Sequence, residues 1–221
     1  MPTETFENLD KDRKQRFIEA AFDEFISHDY DGASISRMVK KLGFGKGSVY
    51  RYFKDKKDLY FYLKELAEQK KMERIMPILT DQSQDFFDMY RGLFLEGIRF
   101  MKEEPRHSQF LYNLSQERQL DEIGDILVEN KKMAREAFAQ QITAYQEQRI
   151  LRGDLPAELL AAMVVEASSI VSNYFLEKYD EEYKESLQKP GKTFPIREEE
   201  MHEVVDGVLN MLRDGIGHKN E

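Results

Sequence analysis

Apolar residues recur along this chain in steps of three and four and almost nowhere at every second position, a pattern that predicts helices throughout. Phe17, Ile18, Ala21, Phe22 and Phe25 form one stripe on a helix from about Asp10 to Ser27, which Asp31 and Gly32 break. Ser34 stands where a hydroxyl accepts from the free N–H groups of a helix start, and Gly43 where a left-handed residue ends one. A third short helix is predicted from about Lys46 to Phe53, and Asp55 caps a longer fourth one carrying Leu59, Leu63 and Leu66. Pro77 and the polar stretch from Thr80 to Gln84 predict a break. Further helices are predicted over roughly 85–103, 105–113, 117–151, 156–187 and 197–216, with Pro105 and Pro156 at first-turn positions, where a missing N–H does no harm. The fold class that follows is all-α, about nine helices, with no internal repeat.

Composition narrows the function classes. With 41% hydrophobic residues the chain can build a sizeable core, and with 34% charged residues much of its surface is solvated. Zero cysteines exclude disulfides, thiol nucleophiles and cysteine–zinc sites. The longest unbroken apolar run, Leu159 to Val165, is far short of the roughly 20 residues of a membrane span, and the opening MPTETFENLDKDRK has no apolar signal core. No membrane partner is expected, and the expected location is the cytoplasm.

Net charge is −9, which on its face argues against a polyanionic partner. Its distribution reverses the argument. Between Ser34 and Lys57 lie Arg37, Lys40, Lys41, Lys46, Arg51, Lys54, Lys56 and Lys57 against the single acid Asp55, a local +7 that leaves −16 for the rest. Two short helices joined by a glycine-containing turn in that same stretch form a helix-turn-helix pattern, with Met38, Val39, Leu42, Val49 and Phe53 as its apolar side. Cations neutralise phosphates, serine and tyrosine hydroxyls bond phosphate oxygens, and lysine also donates to guanine in the major groove.

From Arg16 to Leu59 the chain resembles the DNA-binding domain of the TetR (tetracycline-repressor) family. The resemblance is carried by Ile18, Ala21 and Phe25, by the capped helix Ser34 to Gly43, by Gly43, Gly47, Ser48, Val49, Tyr50, Tyr52 and Phe53, and by Lys56 with Leu59. It implies a three-helix DNA-binding module over residues 1–56 and a larger effector-binding and dimerisation bundle over 57–221. It further implies a sequence-specific transcriptional regulator, a repressor, acting as a homodimer on a palindromic double-stranded operator and released by a small ligand. The DNA-contacting residues it implies are Ser34, Ser36, Arg37, Lys46, Gly47, Ser48, Tyr50, Arg51, Tyr52 and Lys56. Two departures stand out: Gly45 replaces a usual serine at the start of the recognition helix, and Val39 a usual alanine.

The same resemblance implies a cavity within the bundle. Its candidate lining is Phe86, Tyr90, Phe94, Phe110, Phe138, Tyr145 and Tyr174, which favours a largely apolar effector. Leu160, Val164, Val165, Ser168, Val171, Val205, Val208, Leu209 and Leu212 on the last two long helices are the candidate dimer interface. No cofactor, metal site or catalytic residue is read. The pairs Glu104/His107 and Glu199/His202 have the Glu-x-x-His spacing of di-metal bundles, but Pro105 interrupts the first, and no nucleotide-binding or hydrolase motif is present. An effector-independent DNA-binding or structural protein and, remotely, a di-metal helical enzyme remain as alternatives.

Overall fold

The computed structural model describes residues 2–43, 46–81, 83–116, 124–189 and 195–217. Eleven helices lie among them: α1 (Glu4–Glu7), α2 (Lys11–Ser27), α3 (Ile35–Leu42), α4 (Lys46–Tyr52), α5 (Lys56–Thr80), α6 (Phe86–Glu103), α7 (Pro105–Gln116), α8 (Gly124–Glu147), α9 (Ala157–Lys178), α10 (Asp180–Gln188) and α11 (Glu198–Ile216). The only β feature among the described residues is one antiparallel bridge between Leu151 and Gly217.

The helical fold class holds, with three local corrections. Residues 4–7 add a helix ahead of the first one expected. Pro77 does not stop α5: the chain runs on for three residues to Thr80, whose hydroxyl bonds back to the Met76 carbonyl at 2.9 Å. The helix expected over 156–187 is two, parted at Tyr179, whose φ of −117° and ψ of 33° leave the helical region. Residues 117–123, at the start of the helix expected over 117–151, lie outside the described residues.

Packing forms two compact units, Met1–Met72 with Glu104–Asp125, and Glu73–Glu103 with Ile126–Glu221. Packing thus draws its line elsewhere than the functional boundary expected after residue 56. In the first unit α2 packs on α3 and on α7. Phe22 meets the rings of Phe110 (5.3 Å) and His107 (4.7 Å), Arg106 pairs with Asp23 at 2.8 Å, and the Asn113 amide donates to the Ile26 carbonyl. Burial and the nearby Lys70 charge push the His107 imidazole down to about 4. In the second unit α6, α9 and α11 pack on one another around a core that includes Phe86, Ile98, Leu160, Val164, Phe175, Met201 and Val205. Among the described residues no group of three or more His, Asp or Glu side chains is placed to hold a metal ion.

Candidate nucleic-acid interface

Local rules build the helix-turn-helix. Asp10 Oδ1 accepts from the N–H groups of Asp12 and Arg13 and starts α2. Asp29 Oδ1 accepts from the Gly32 N–H at 2.7 Å and closes the turn after it. Ser34 Oγ accepts from the Arg37 N–H at 3.3 Å at the start of α3, and Gly43 ends α3 at φ +68°, a conformation that side-chain-bearing residues rarely adopt. Asp55 Oδ1 accepts from the Asp58 N–H at 2.8 Å at the start of α5. Met38, Val39, Val49 and Phe53 are buried, so α3 and α4 are fixed along their shared apolar side.

A carboxylate completes this frame. Glu24 on α2 is 2% exposed. It accepts from the Ser34 N–H and from Arg37 Nε, both at 2.8 Å, and from Arg37 Nη2, which also donates to the Gly32 carbonyl. Burial alone raises the pKa of such a carboxyl. The hydrogen bonds from Arg37 and Ser34 outweigh that and hold Glu24 below the ordinary carboxylate range. The ion pair ties the start of α3 to the last turn of α2.

Nine of the ten candidate DNA residues divide into two groups. Ser36, Gly47, Tyr50 and Arg51 are exposed and Ser48 half-exposed, all on α3 and α4; Tyr50 is the most prominent apolar surface among them at 52%. A Cβ at Gly47 would meet nothing within 4 Å, so its surface lies open. Lys46 opens α4, but its side chain lies outside the description, as does Gly45. The other group serves the frame. Ser34 caps α3 and Arg37 is engaged by Glu24. Tyr52 is 1% exposed and packs against Phe6 and Phe17, which corrects its expected role as a phosphate ligand. Lys56 does not reach outward: its Nζ donates to the carbonyls of Tyr30 (2.7 Å), Asp31 (3.3 Å) and Ala33 (3.4 Å) and sits 4.5 Å from the Tyr30 ring centre. Three ammonium protons thus meet three carbonyls of the turn between α2 and α3. Lys40 and Lys54, absent from the candidates, are exposed beside the first group; their signal was the cationic run itself.

Comparison with known proteins agrees with this geometry. Residues 17–63 match the model of bacterial regulatory proteins, tetR family. A structure of a TetR family transcriptional regulator from Chloroflexus aurantiacus superposes with a TM-score of 0.83 at 29% identity, covering 99% of this chain and 100% of that one. By sequence over residues 17–63 and by fold over its whole length, this chain resembles the TetR family. A curated HTH-type transcriptional regulator of Staphylococcus aureus is 42% identical over 53 residues, 24% of this chain and 29% of the relative, so the likeness to such curated relatives spans under a third of their length. AibR, solved with isovaleryl coenzyme A and operator DNA, shares the fold at a TM-score of 0.63 and 14% identity, over 90% of this chain and 97% of that one.

In this chain the candidate pocket residues are only partly neighbours. Phe86 lies 4.6 Å from Tyr90 and 5.0 Å from Tyr145, and Tyr90 lies 5.7 Å from Phe138 and 6.3 Å from Phe94, a single aromatic cluster in the second unit. Burial, reinforced by Tyr145, raises the Tyr90 phenol well above its ordinary value. Phe110 is core of the first unit, against Phe22 and Tyr60. Tyr174 is 43% exposed and lines an open groove of about 440 Å³ with Lys178, Arg197, Glu200, Val208 and Met211.

The candidate dimer residues need a rotation. Leu160, Val164, Val171, Val205 and Leu209 are buried inside the second unit, where no second chain reaches them. Ser168, Val208 and Leu212 are half-buried and Val165 is exposed. The open apolar surface is the other side of the same helices: Leu159, Met163, Ile170 and Tyr174 on α9 and Met211 on α11. By composition α9 is long and apolar enough to cross a membrane, but Leu160, Val164, Ala167, Val171 and Phe175 on it belong to the core.

Proposed function

We propose that this protein is a cytoplasmic transcriptional repressor that binds a palindromic operator as a homodimer and is released by a small, largely apolar effector. The observation that carries the reading is the outward face of α3 and α4. Ser36, Lys40, Tyr50 and Arg51 stand exposed on two short helices whose opposite sides are locked by Met38, Val39, Val49 and the Glu24–Arg37 pair. That face offers cations and hydroxyls to phosphates and leaves α4 free to enter a major groove. One seven-residue helix reads few bases, and two-fold symmetry doubles the reading. The exposed stripes of α9 and α11 supply a self-complementary apolar surface for the second copy. The cluster of Phe86, Tyr90, Phe94, Phe138 and Tyr145 supplies the apolar wall for an effector. That effector acts by population shift, favouring a dimer whose recognition helices no longer match successive major grooves about 34 Å apart.

Selection of DNA from a random library by the purified chain tests the reading. Two inverted half-sites with centres about one helical turn, or a multiple of it, apart are expected. Loss of all sequence enrichment rejects it. Ile170→Glu, placing a charge on the open side of α9, is expected to give a monomer in sedimentation equilibrium and to abolish tight operator binding; an unchanged dimer removes this face from the interface.

A further inference from the structure

Residues 3–9 precede the family match at 17–63 and belong to no motif in the sequence, yet they pack against the end of the recognition helix. The Thr3 N–H donates to the Tyr52 carbonyl at 2.9 Å and the Thr3 hydroxyl to the Arg51 carbonyl at 2.7 Å. Those are two of the last four carbonyls of α4, the groups a helix leaves without partners of its own. Three residues on, Phe6 is fully buried, with its ring 4.8 Å from Phe53, 5.4 Å from Phe17, 5.5 Å from Tyr62 and 5.6 Å from Tyr52. Lys14 covers the Phe6 ring at 5.0 Å and pairs with Glu7, fastening α1 to α2. Backbone, hydroxyl and ring therefore meet the same end of α4 from one side.

We propose that the segment Thr3–Asn8 is a positioning element that completes the C-terminal end of the recognition helix. The proposal rests on the reading of α4 as that helix. A seven-residue helix is too short to hold itself in water and takes its order from its surroundings. Near its start the open position of Gly47 gives little support, so order is imposed from the far end. The segment carries Glu4 and Glu7 and no cation, which suits a brace and not a phosphate-binding arm. Tyr52 is then the joint between the two, buried because Phe6 covers it.

Two variants of the full chain separate this from alternatives, since position 3 is exposed and either residue leaves the fold intact. Thr3→Val removes the hydroxyl donor and keeps the shape; Thr3→Ser keeps the donor. Amide hydrogen exchange over residues 46–54, without DNA, is expected to quicken about fivefold in Thr3→Val, the factor matching the loss of one hydrogen bond of ~1 kcal/mol, and to stay native in Thr3→Ser. Affinity for the selected DNA is expected to fall by a similar factor with an unchanged salt slope. Native exchange in Thr3→Val overturns the proposal. A salt slope lowered by about 1 also overturns it, because the segment then touches phosphate itself. If the native chain enriches no DNA sequence, the function proposed above fails, while the exchange result still decides whether Thr3 holds α4.

Discussion

Two regions, the helix-turn-helix frame of the first unit and the facing sides of α6 and α11 in the second, use polar side chains in different ways. In the first, they finish the backbone: Glu24 takes the Ser34 N–H, Lys56 takes three carbonyls of one turn, and Asp10, Ser34 and Asp55 cap helix starts. In the second, they meet each other across partly exposed helix faces: Arg91 with Asp206 (2.6 Å) and Arg99 with Glu198 (2.8 Å). A side chain bonded to backbone fixes where the chain goes, and few residue types can replace it. A pair of exposed side chains exchanges readily for another pair or for water. The helix-turn-helix frame therefore holds one geometry, as the proposed DNA-binding face requires, and the α6–α11 face keeps pairs that are free to vary.

Substitutions that strike the two units differently test this contrast. Phe110→Ala is expected to have the largest effect. It empties a fully buried site between Phe22 and Tyr60 and is expected to destabilise the first unit by about 3–5 kcal/mol in denaturant unfolding. Ligand-induced thermal shifts of the second unit are expected to persist; their loss returns Phe110 to an effector site.

Acidification comes next. His107, with an ordinary value of 6.5 and a folded value of about 4, is neutral in the folded chain while the unfolded chain gains a proton. Stability is present above pH 6.5 and is lost as pH falls toward 4. The first unit is expected to loosen in that window, seen as faster amide exchange in α2 and α7, and His107→Gln to flatten the response. An equally steep fall in the variant assigns the effect elsewhere.

Lys56→Met keeps the stem over Tyr30 and removes the donors, for an expected loss of about 1–2 kcal/mol. Its salt slope on DNA is expected to stay native; a slope lower by about 1 makes Lys56 a phosphate ligand after all. Arg91→Ala, which breaks a pair exposed at 37% and 44%, is expected to change stability least, by under about 1 kcal/mol. A larger loss there erases the contrast between the two regions.

Much of the first unit was legible because its rules are local. Ser34, Gly43 and Asp55 act within four residues of themselves, so spacing alone announces them. Lys56 and Tyr52 were misread because their surroundings come from far along the chain: the turn at 30–33 for one, Phe6 for the other. In the second unit helix positions were legible and helix faces were not. α9 is apolar on two sides, so Leu160 and Val164, which point inward, differ from Leu159 and Met163, which point outward, by a single residue, about 100° around the helix. Periodicity finds a stripe only where the opposite face is polar. Phe110 was misassigned for a related reason: an aromatic at helical spacing states that it is buried, not which core it is buried in.

The double-sided character of α9 also bears on how the protein keeps company with itself. Leu159, Met163, Ile170 and Tyr174 face water in an isolated chain, next to a surface whose net charge of −9 makes neighbouring molecules repel. Dilution and low ionic strength leave that repulsion in command, and the stripe stays wet. Added salt shortens its reach to about 10 Å at 0.1 M, and within that distance the proposed pairing of apolar stripes is no longer opposed. For the homodimer proposed above, solubility and melting temperature are properties of the population, set by how many copies are present as much as by the fold of each one.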